Sequence, residues 1–339
     1  MTLQEQARAL HQTHFVFDGL TYLCDGTTTN LMAGGVNATN ITVPDFEDDW
    51  AEACQKIAVW LARCRSSASP WVLIESVDDF ERTETRGTIG IVMGWQNMRP
   101  IGDSLERIEF FHKLGVRIMQ PTYNYRNMLG NGCLEPRDDG LSSLGRDAVK
   151  ILNELGIAID LSHVGERTSL DIIEASDKPV LVTHANSHAL APLPRNKSDR
   201  VIKLIAEKGG LIGPSIYGPM LWNGTSKTPP VLDDYFAHVE HIVSLAGIEH
   251  VGFGTDFPSV GEEWKIFAGP ESPRTWDAIV RFGETFGHSV ASTYPDGVDT
   301  QADFPVVTAG LLRRGWSEDH VAAYLGGNFR RVLGEIWQG

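Results

Sequence analysis

The sequence predicts an α/β protein, a closed (β/α)8 barrel of the TIM type, and three observations lead there. Eight short runs rich in β-branched residues recur along the 339 residues. Stretches with helical periodicity lie between them, so strand and helix alternate, the order that builds a parallel sheet. The polar side chains best suited to chemistry stand at strand ends, where barrels carry their active sites. The runs are residues 15–19, 36–42, 88–94, 116–123, 158–163, 180–184, 210–215 and 251–256. Between them the spacing predicts helices over 46–66, 104–114, 143–155, 166–175, 198–208 and 233–246, several opening on Ser or Asp, whose side-chain oxygens cap free N–H groups. An open doubly wound sheet fits less well, because no G-x-G-x-x-G turn follows the first run. Residues 1–339 are read as a single barrel domain. Residues 262–303, rich in Pro, Gly and aromatic residues, form its lid or packing arm, and 317–336 a C-terminal helix.

Composition narrows the function classes. With 42% hydrophobic and 22% charged residues the chain has material for a large core, which excludes intrinsic disorder. A net charge of −15, without a Lys/Arg stripe, argues against a nucleic-acid partner. Residues 1–14 lack the basic-then-apolar order of a signal peptide, and no apolar run approaches the roughly 20 residues of a membrane span. A cytoplasmic protein with no membrane partner is the expectation. Cys24, Cys54, Cys64 and Cys133 show no CxxC spacing, so they are expected to be free thiols rather than a zinc ribbon or a disulfide framework.

Three strand ends carry the candidate chemistry. The fifth run ends Ile159-Asp160-Leu161-Ser162-His163, the sixth Leu181-Val182-Thr183-His184, and the eighth Gly252-Phe253-Gly254-Thr255-Asp256. Two imidazoles and a carboxylate on one rim can hold a metal ion and handle the proton of an attacking water. Singly, a strand-end His is as well explained by a structural hydrogen bond, and an Asp by a helix cap. Asp25 and Cys24 are read as turn formers beyond the first strand. Cys133 could reach the rim from the fourth loop. His238 and His241 are read as a wet helix-surface pair, and His188 as structural.

The motifs resemble those of the membrane (renal-type) dipeptidase family of metal-dependent amidohydrolases, over nearly the whole chain. Gly156-Ile-Ala-Ile-Asp-Leu-Ser-His163-Val is similar to the family's G-x-x-x-D-x-S-H-V strand, and Lys178-Pro-Val-Leu-Val-Thr-His184-Ala-Asn-Ser to its P-x-x-x-S-H-S strand. Pro194-Arg195-Asn196-Lys-Ser-Asp199 resembles the R-N-x-x-D loop, and Val251-Gly-Phe-Gly-Thr-Asp256-Phe the G-x-G-x-D-F strand. Gly140-Leu-Ser-Ser-Leu-Gly145 and Leu325-Gly-Gly-Asn328-Phe-Arg330 follow the family order too. The resemblance implies that His163 and His184 are metal ligands, that Arg195 binds the substrate carboxylate, and that Asp256 is catalytic. Asn196, Tyr123 and Gln96 are expected at the substrate, and a homodimer is implied.

The chain departs from the family pattern on the opposite side of the rim. The family's first strand ends D-G-H-x-D, whereas Asp18-Gly19-Leu20-Thr21-Tyr22 lacks both ligands. Gly94-Trp95-Gln96-Asn97 has an amide where the family has a metal-bridging Glu, and Gln120-Pro-Thr-Tyr123-Asn124 a phenol where it has a His. Two dications would be undercompensated there, so the sequence predicts one divalent metal, zinc, rather than two. The preferred reading is a dipeptidase-like metallohydrolase acting on an amide bond in a small carboxylate-bearing substrate. A metal-free lyase or isomerase working by acid/base chemistry, and a catalytically silent small-molecule-binding barrel, remain open.

Overall fold

The computed structural model describes residues 1–22, 27–83, 87–223, 225–226, 228–257 and 294–338. Its strands are β1 (Phe17–Thr21), β2 (Ala38–Thr42), β3 (Trp71–Leu73), β4 (Ile89–Trp95), β5 (Val116–Met119), β6 (Ala158–Ile159), β7 (Leu181–Val182) and β8 (Leu211–Ile212). β1, β2, β4, β5 and β6 pair in that order and in parallel. β7 pairs with β8. Single bridges join the rest of the ring: Asp160 to Leu181, Ile212 to Val251, and Phe257 back to Thr21. Residues 251–257 thus supply the eighth stave, and the sheet closes into the (β/α)8 barrel. β3 lies outside the ring and borrows the lower edge of β4, pairing Trp71 with Ile89, while β5 takes the upper edge from Met93 onward.

Every expected strand is present in the ring. So are the helices Trp50–Arg65, Glu106–Lys113, Ser143–Leu155, Glu166–Ala175, Asp199–Glu207 and Leu232–Ala246. Their caps follow the sequence: Asp49 accepts from the backbone N–H groups of Ala51 and Glu52, Ser142 from Gly145, and Ser198 from Val201. The structure adds β3 and the helices Leu3–Thr13, Thr27–Ala33 and Pro305–Arg313. The C-terminal helix expected over 317–336 is broken by a π-turn at Ala323–Gly327, after which Asn328–Trp337 resumes. Of the expected arm over 262–303, residues 262–293 lie outside the described residues, as do Cys24 and Asp25.

Two apolar layers hold the barrel, one on each side of the sheet. Outside, strand residues such as Ile41, Ile91, Met119 and Val182 pack against the helices. Inside, Phe17, Ala38, Val92, Ile118, Ala158, Leu181 and Leu211 point at the axis and meet Phe329, Val332, Leu333 and Ile336 of the helix Asn328–Trp337. That helix plugs the bottom of the barrel, with the Phe329 ring 4.8 Å from that of Phe17. The plug explains why Gly326, Asn328 and Phe329 occur together. A Cβ on Gly326 would stand 2.5 Å from the Phe15 carbonyl oxygen, and Asn328 Nδ2 donates to the carbonyls of Ile248 and Val251.

Above the plug the axis is too narrow for side chains. A Cβ on Gly254 would stand 2.0 Å from the Thr183 carbonyl oxygen, one on Gly213 2.3 Å and one on Gly19 2.5 Å. The alternating glycines of 252–254 are therefore a packing requirement, and the next inward position on that stave is Asp256, at the mouth.

Candidate active site at the barrel mouth

His163 and His184 meet across the ends of β6 and β7, their Nε2 atoms 3.2 Å apart. Their other nitrogens decide the tautomers. His163 Nδ1 lies 2.7 Å from Asn124 Oδ1, a carbonyl oxygen, so it must be the donor. His184 Nδ1 lies 2.7 Å from Thr183 Oγ1, whose own proton goes to Asp160 Oδ2 at 2.7 Å, so it too donates. Both Nε2 atoms are left with bare lone pairs facing each other. Burial first, then the charge of Arg195, hold both imidazoles well below their ordinary pKa and hence neutral at pH 7.

Two lone pairs at that distance repel unless a cation lies between them. Two nitrogens each about 2.0–2.1 Å from a tetrahedral zinc are separated by roughly 3.3 Å, so this donor set fits one divalent cation. It does not fit two. Among the described residues no group of three or more His, Cys, Asp or Glu gathers as a metal cage. Leu20 is buried, and Tyr22 and Gln96 are occupied with each other, Gln96 Nε2 donating to Tyr22 Oη at 2.5 Å and to Thr42 Oγ1 at 2.8 Å.

The ligand strands are held by a device used twice. Asp160, directly after β6, accepts from the N–H and hydroxyl of Thr183, the residue before His184, at 3.0 and 2.7 Å. Asp18 in β1 accepts from the N–H and hydroxyl of Thr255, the residue before Asp256, at 2.8 and 2.6 Å. Each buried carboxylate clasps the neighbouring stave immediately below a site residue. Burial pushes Asp18 up to about 6, with its four hydrogen bonds pulling the other way. Neither clasp was expected from the sequence, although an Asp at one strand end and a Thr before the next strand's site residue is a readable pattern.

Asp256 stands at the mouth in a left-handed backbone conformation, φ 54°; among the described residues Asn124, the partner of His163, is the other non-glycine residue of this kind, φ 56°. Such conformations are costly and concentrate at functional sites. Among the described residues the Asp256 carboxylate accepts no hydrogen bond. Burial raises it to about 7, against the pull of Arg195 and helped by Asp18 and Asp160. Three tyrosines not singled out as functional from the sequence surround it. Tyr294 Oη donates to the Asp256 carbonyl at 3.2 Å, Tyr217 packs 5.8 Å from Tyr294, and burial followed by the charge of Asp256 drives the Tyr22, Tyr217 and Tyr294 phenols upward. They come from three separate loops, so no local spacing announces them.

The remaining candidates separate. Arg195 donates through Nη1 to the Ser162 carbonyl and through Nη2 to the His184 carbonyl at 2.9 Å, tying the two ligand strands together. Tyr123 stacks between Phe46 and His163, at ring separations of 4.2 and 4.0 Å. Asn196 is spent on its loop: both Nδ2 protons go to the carbonyls of Ala191 and Met220, and Oδ1 takes the Asn186 N–H. Cys133 lies behind the site, donating from Sγ to Asn124 Oδ1 at 3.4 Å, with its thiol raised by burial. The expected wet pair is corrected in one member. His238 is buried and its Nδ1 takes the Ser187 N–H, whereas His241 meets Asp199 at 2.9 Å. A cavity of about 500 Å³ opens beside Tyr22 and Thr42, against the helix Trp50–Arg65.

Comparison with known proteins bears on the family and the fold. A family model described as membrane dipeptidase (Peptidase family M19) matches residues 5–268. The dipeptidase tcpJ of Claviceps purpurea is 28% identical over 266 residues, 78% of this chain and 55% of that protein. For the dipeptidase aclJ of Aspergillus oryzae the identity is 28% over 74% of this chain and 52% of that one, so the chain spans about half the length of these curated relatives. Among solved structures, an amidohydrolase from Pseudomonas aeruginosa is 31% identical over the whole of both chains, with a TM-score of 0.86. A metallo peptidase from Rhodobacter sphaeroides, liganded with a phosphinate mimic of the dipeptide L-Ala-D-Ala, shares the fold at 21% identity and a TM-score of 0.78, over 96% of this chain and 100% of that one.

Proposed function

We propose that this chain, which belongs to the membrane dipeptidase family (Peptidase family M19), is a dipeptidase-like metallohydrolase that cleaves an amide bond in a small carboxylate-bearing substrate, such as a dipeptide or an N-acyl amino acid. The observation that carries this reading is the pair of neutral imidazoles whose bare Nε2 atoms face each other at 3.2 Å. One divalent cation, proposed to be zinc, would be held by His163 and His184, and would supply Lewis acidity toward the scissile carbonyl and toward water.

The chain's own groups divide the remaining work. Asp256, whose carboxylate accepts no hydrogen bond among the described residues and is raised by burial to about 7, takes the proton of the attacking water and returns it to the leaving amine nitrogen. Arg195 keeps N–H groups beyond the two it gives to the strand carbonyls, and these meet the substrate carboxylate. Tyr123 and Gln96 line the place of the acyl side, and Asn196 holds the Arg195 loop in position. A cytoplasmic homodimer belongs to the same proposal. Cys54, Cys64 and Cys133 are free thiols, as in a reducing compartment. No helix among the described residues is long and apolar enough to cross a membrane.

Elemental analysis of protein purified without chelator, beside a His163→Ala/His184→Ala variant, tests the cation; a panel of dipeptides and N-acyl amino acids tests the reaction. About one metal per chain, lost in the variant together with hydrolysis, is the expected result. No metal in either protein overturns the mechanism. Undiminished turnover after chelation would select metal-free acid/base chemistry instead, a reading favoured by Asp256 lying near 7 among buried phenols.

A further inference from the structure

The acyl side of the mouth is built entirely from neutral groups. β1, β2, β4 and β5 lead to Tyr22, Thr42, Gln96 and Tyr123, and the ionised groups of the site, Arg195 and Asp256, come from the other side. Gln96 is only 2% exposed; its Nε2 is occupied by Tyr22 and Thr42, while its Oε1 is buried without a partner. The Tyr217 hydroxyl is likewise buried and unpartnered. A buried acceptor left open is costly unless something fills it.

Resting on the hydrolase reading above, we infer that this half of the mouth is a subsite for a neutral N–H: the chain takes substrates whose α-nitrogen is acylated, in preference to dipeptides with a free ammonium. An amide N–H satisfies Gln96 Oε1 without bringing charge. An ammonium would be buried beside an uncharged amide and phenols, and the carboxylate that acts on those phenols, Asp256, is committed to the attacking water. Reversing the Gln96 amide would present its NH2 group instead, which receives a cation no better. A cavity of about 500 Å³ begins at Tyr22 and Thr42 and runs along the helix Trp50–Arg65. Its acids are already engaged, Asp45 with Lys56 at 2.5 Å and Glu52 with the Asp49 N–H at 2.9 Å, and Arg63 lies over the Trp60 ring at 4.8 Å.

Calorimetric binding of two uncleavable ketomethylene analogues of alanyl-alanine to the wild-type protein, one with a free and one with an acetylated amine, tests this directly. The acetylated analogue is expected to bind at least about tenfold tighter, the order of preference an unpaired buried cation should impose. Gln96→Glu should narrow or reverse that preference, and Gln96→Met should carry it toward parity if the glutamate variant does not fold. Tighter or equal binding of the free amine, no binding of either analogue, or a preference untouched by both variants overturns the inference. Parallel hydrolysis of alanyl-alanine and N-acetyl-alanyl-alanine separates the two proposals. If the acetylated analogue binds selectively but neither peptide is cleaved, the hydrolase reading fails and the subsite stands.

Discussion

On one side of the mouth the strand ends carry Leu20, Tyr22, Thr42, Gln96 and Tyr123; on the other they carry His163, His184 and Asp256, with Arg195 braced across the two histidine strands. The first side presents only neutral side chains. The second gathers the candidate ligands and the candidate base, with the hydrogen bonds that set each imidazole tautomer. Yet the support below is common to both. Asp18 sits on the depleted side with its carboxylate fully engaged, because what it holds is Thr255 and therefore Asp256. Ligands at a rim can be exchanged one by one, whereas a carboxylate that fixes a neighbouring stave is tied to the geometry of the barrel.

The sharpest way to break this contrast is to strip the retained side. His163→Ala/His184→Ala should lose the bound metal and reduce hydrolysis to background, by about a thousandfold or more, as measured by elemental analysis and kcat/KM. Asp256→Asn should lower kcat/KM by about 10²–10⁴-fold while circular dichroism stays unchanged.

The same variant carries a stability signature. Because the Asp256 carboxyl is raised in the folded protein from 3.8 to about 7, its ionisation opposes folding: the cost is absent below pH 4 and complete above pH 7. The metal-free Asp256→Asn protein should therefore gain up to about 4 kcal/mol over metal-free wild type at pH 8, and the gain should vanish near pH 4. The buried neutral histidines act in the opposite direction as pH falls, so the difference between the two proteins is the quantity to read.

The two clasps can be set against each other. Thr183→Val and Thr255→Val each remove a hydroxyl donor to a buried carboxylate, and each should cost about 1.5–3 kcal/mol in denaturant unfolding. Only Thr183→Val also removes the partner of His184 Nδ1, so only it should weaken metal binding, by about 10–100-fold. Equal metal affinity in both variants would falsify the tautomer assignment. Tyr22→Phe, on the depleted side, should have the smallest effect, about 1 kcal/mol or less and no change in metal content.

The eight staves were legible because each combines β-branched residues with turn residues at its ends, and the histidine pair because strand ends in a barrel converge. Other features had no comparable local signal. β3 is three residues long and only half-buried, too short for any periodicity to register. The helix Leu3–Thr13 buries little more than Ala7, Leu10 and His11, so its apolar stripe is thin, although Thr2 and Glu5 form a capping box that the sequence does display. Tyr22, Tyr217 and Tyr294 gather around Asp256 from positions far apart in the chain, a convergence that only the closed ring creates. His238 lies on a helix face whose exposure depends on where the loop at Ser187 passes, and that too is a tertiary fact.

The helix that stops the bottom of the barrel has a consequence for how the molecule is made. The inward faces of β1, β2, β4, β5, β6, β7 and β8 rest on Phe329, Val332, Leu333 and Ile336. A ribosome must therefore finish and release residues near position 336 before the first strand, synthesised some three hundred residues earlier, can find its inner partner. Until then the nascent barrel has a hollow, greasy axis. Seating this helix joins residues some three hundred positions apart, the long-range kind of closure that is intrinsically slow and aggregation-exposed.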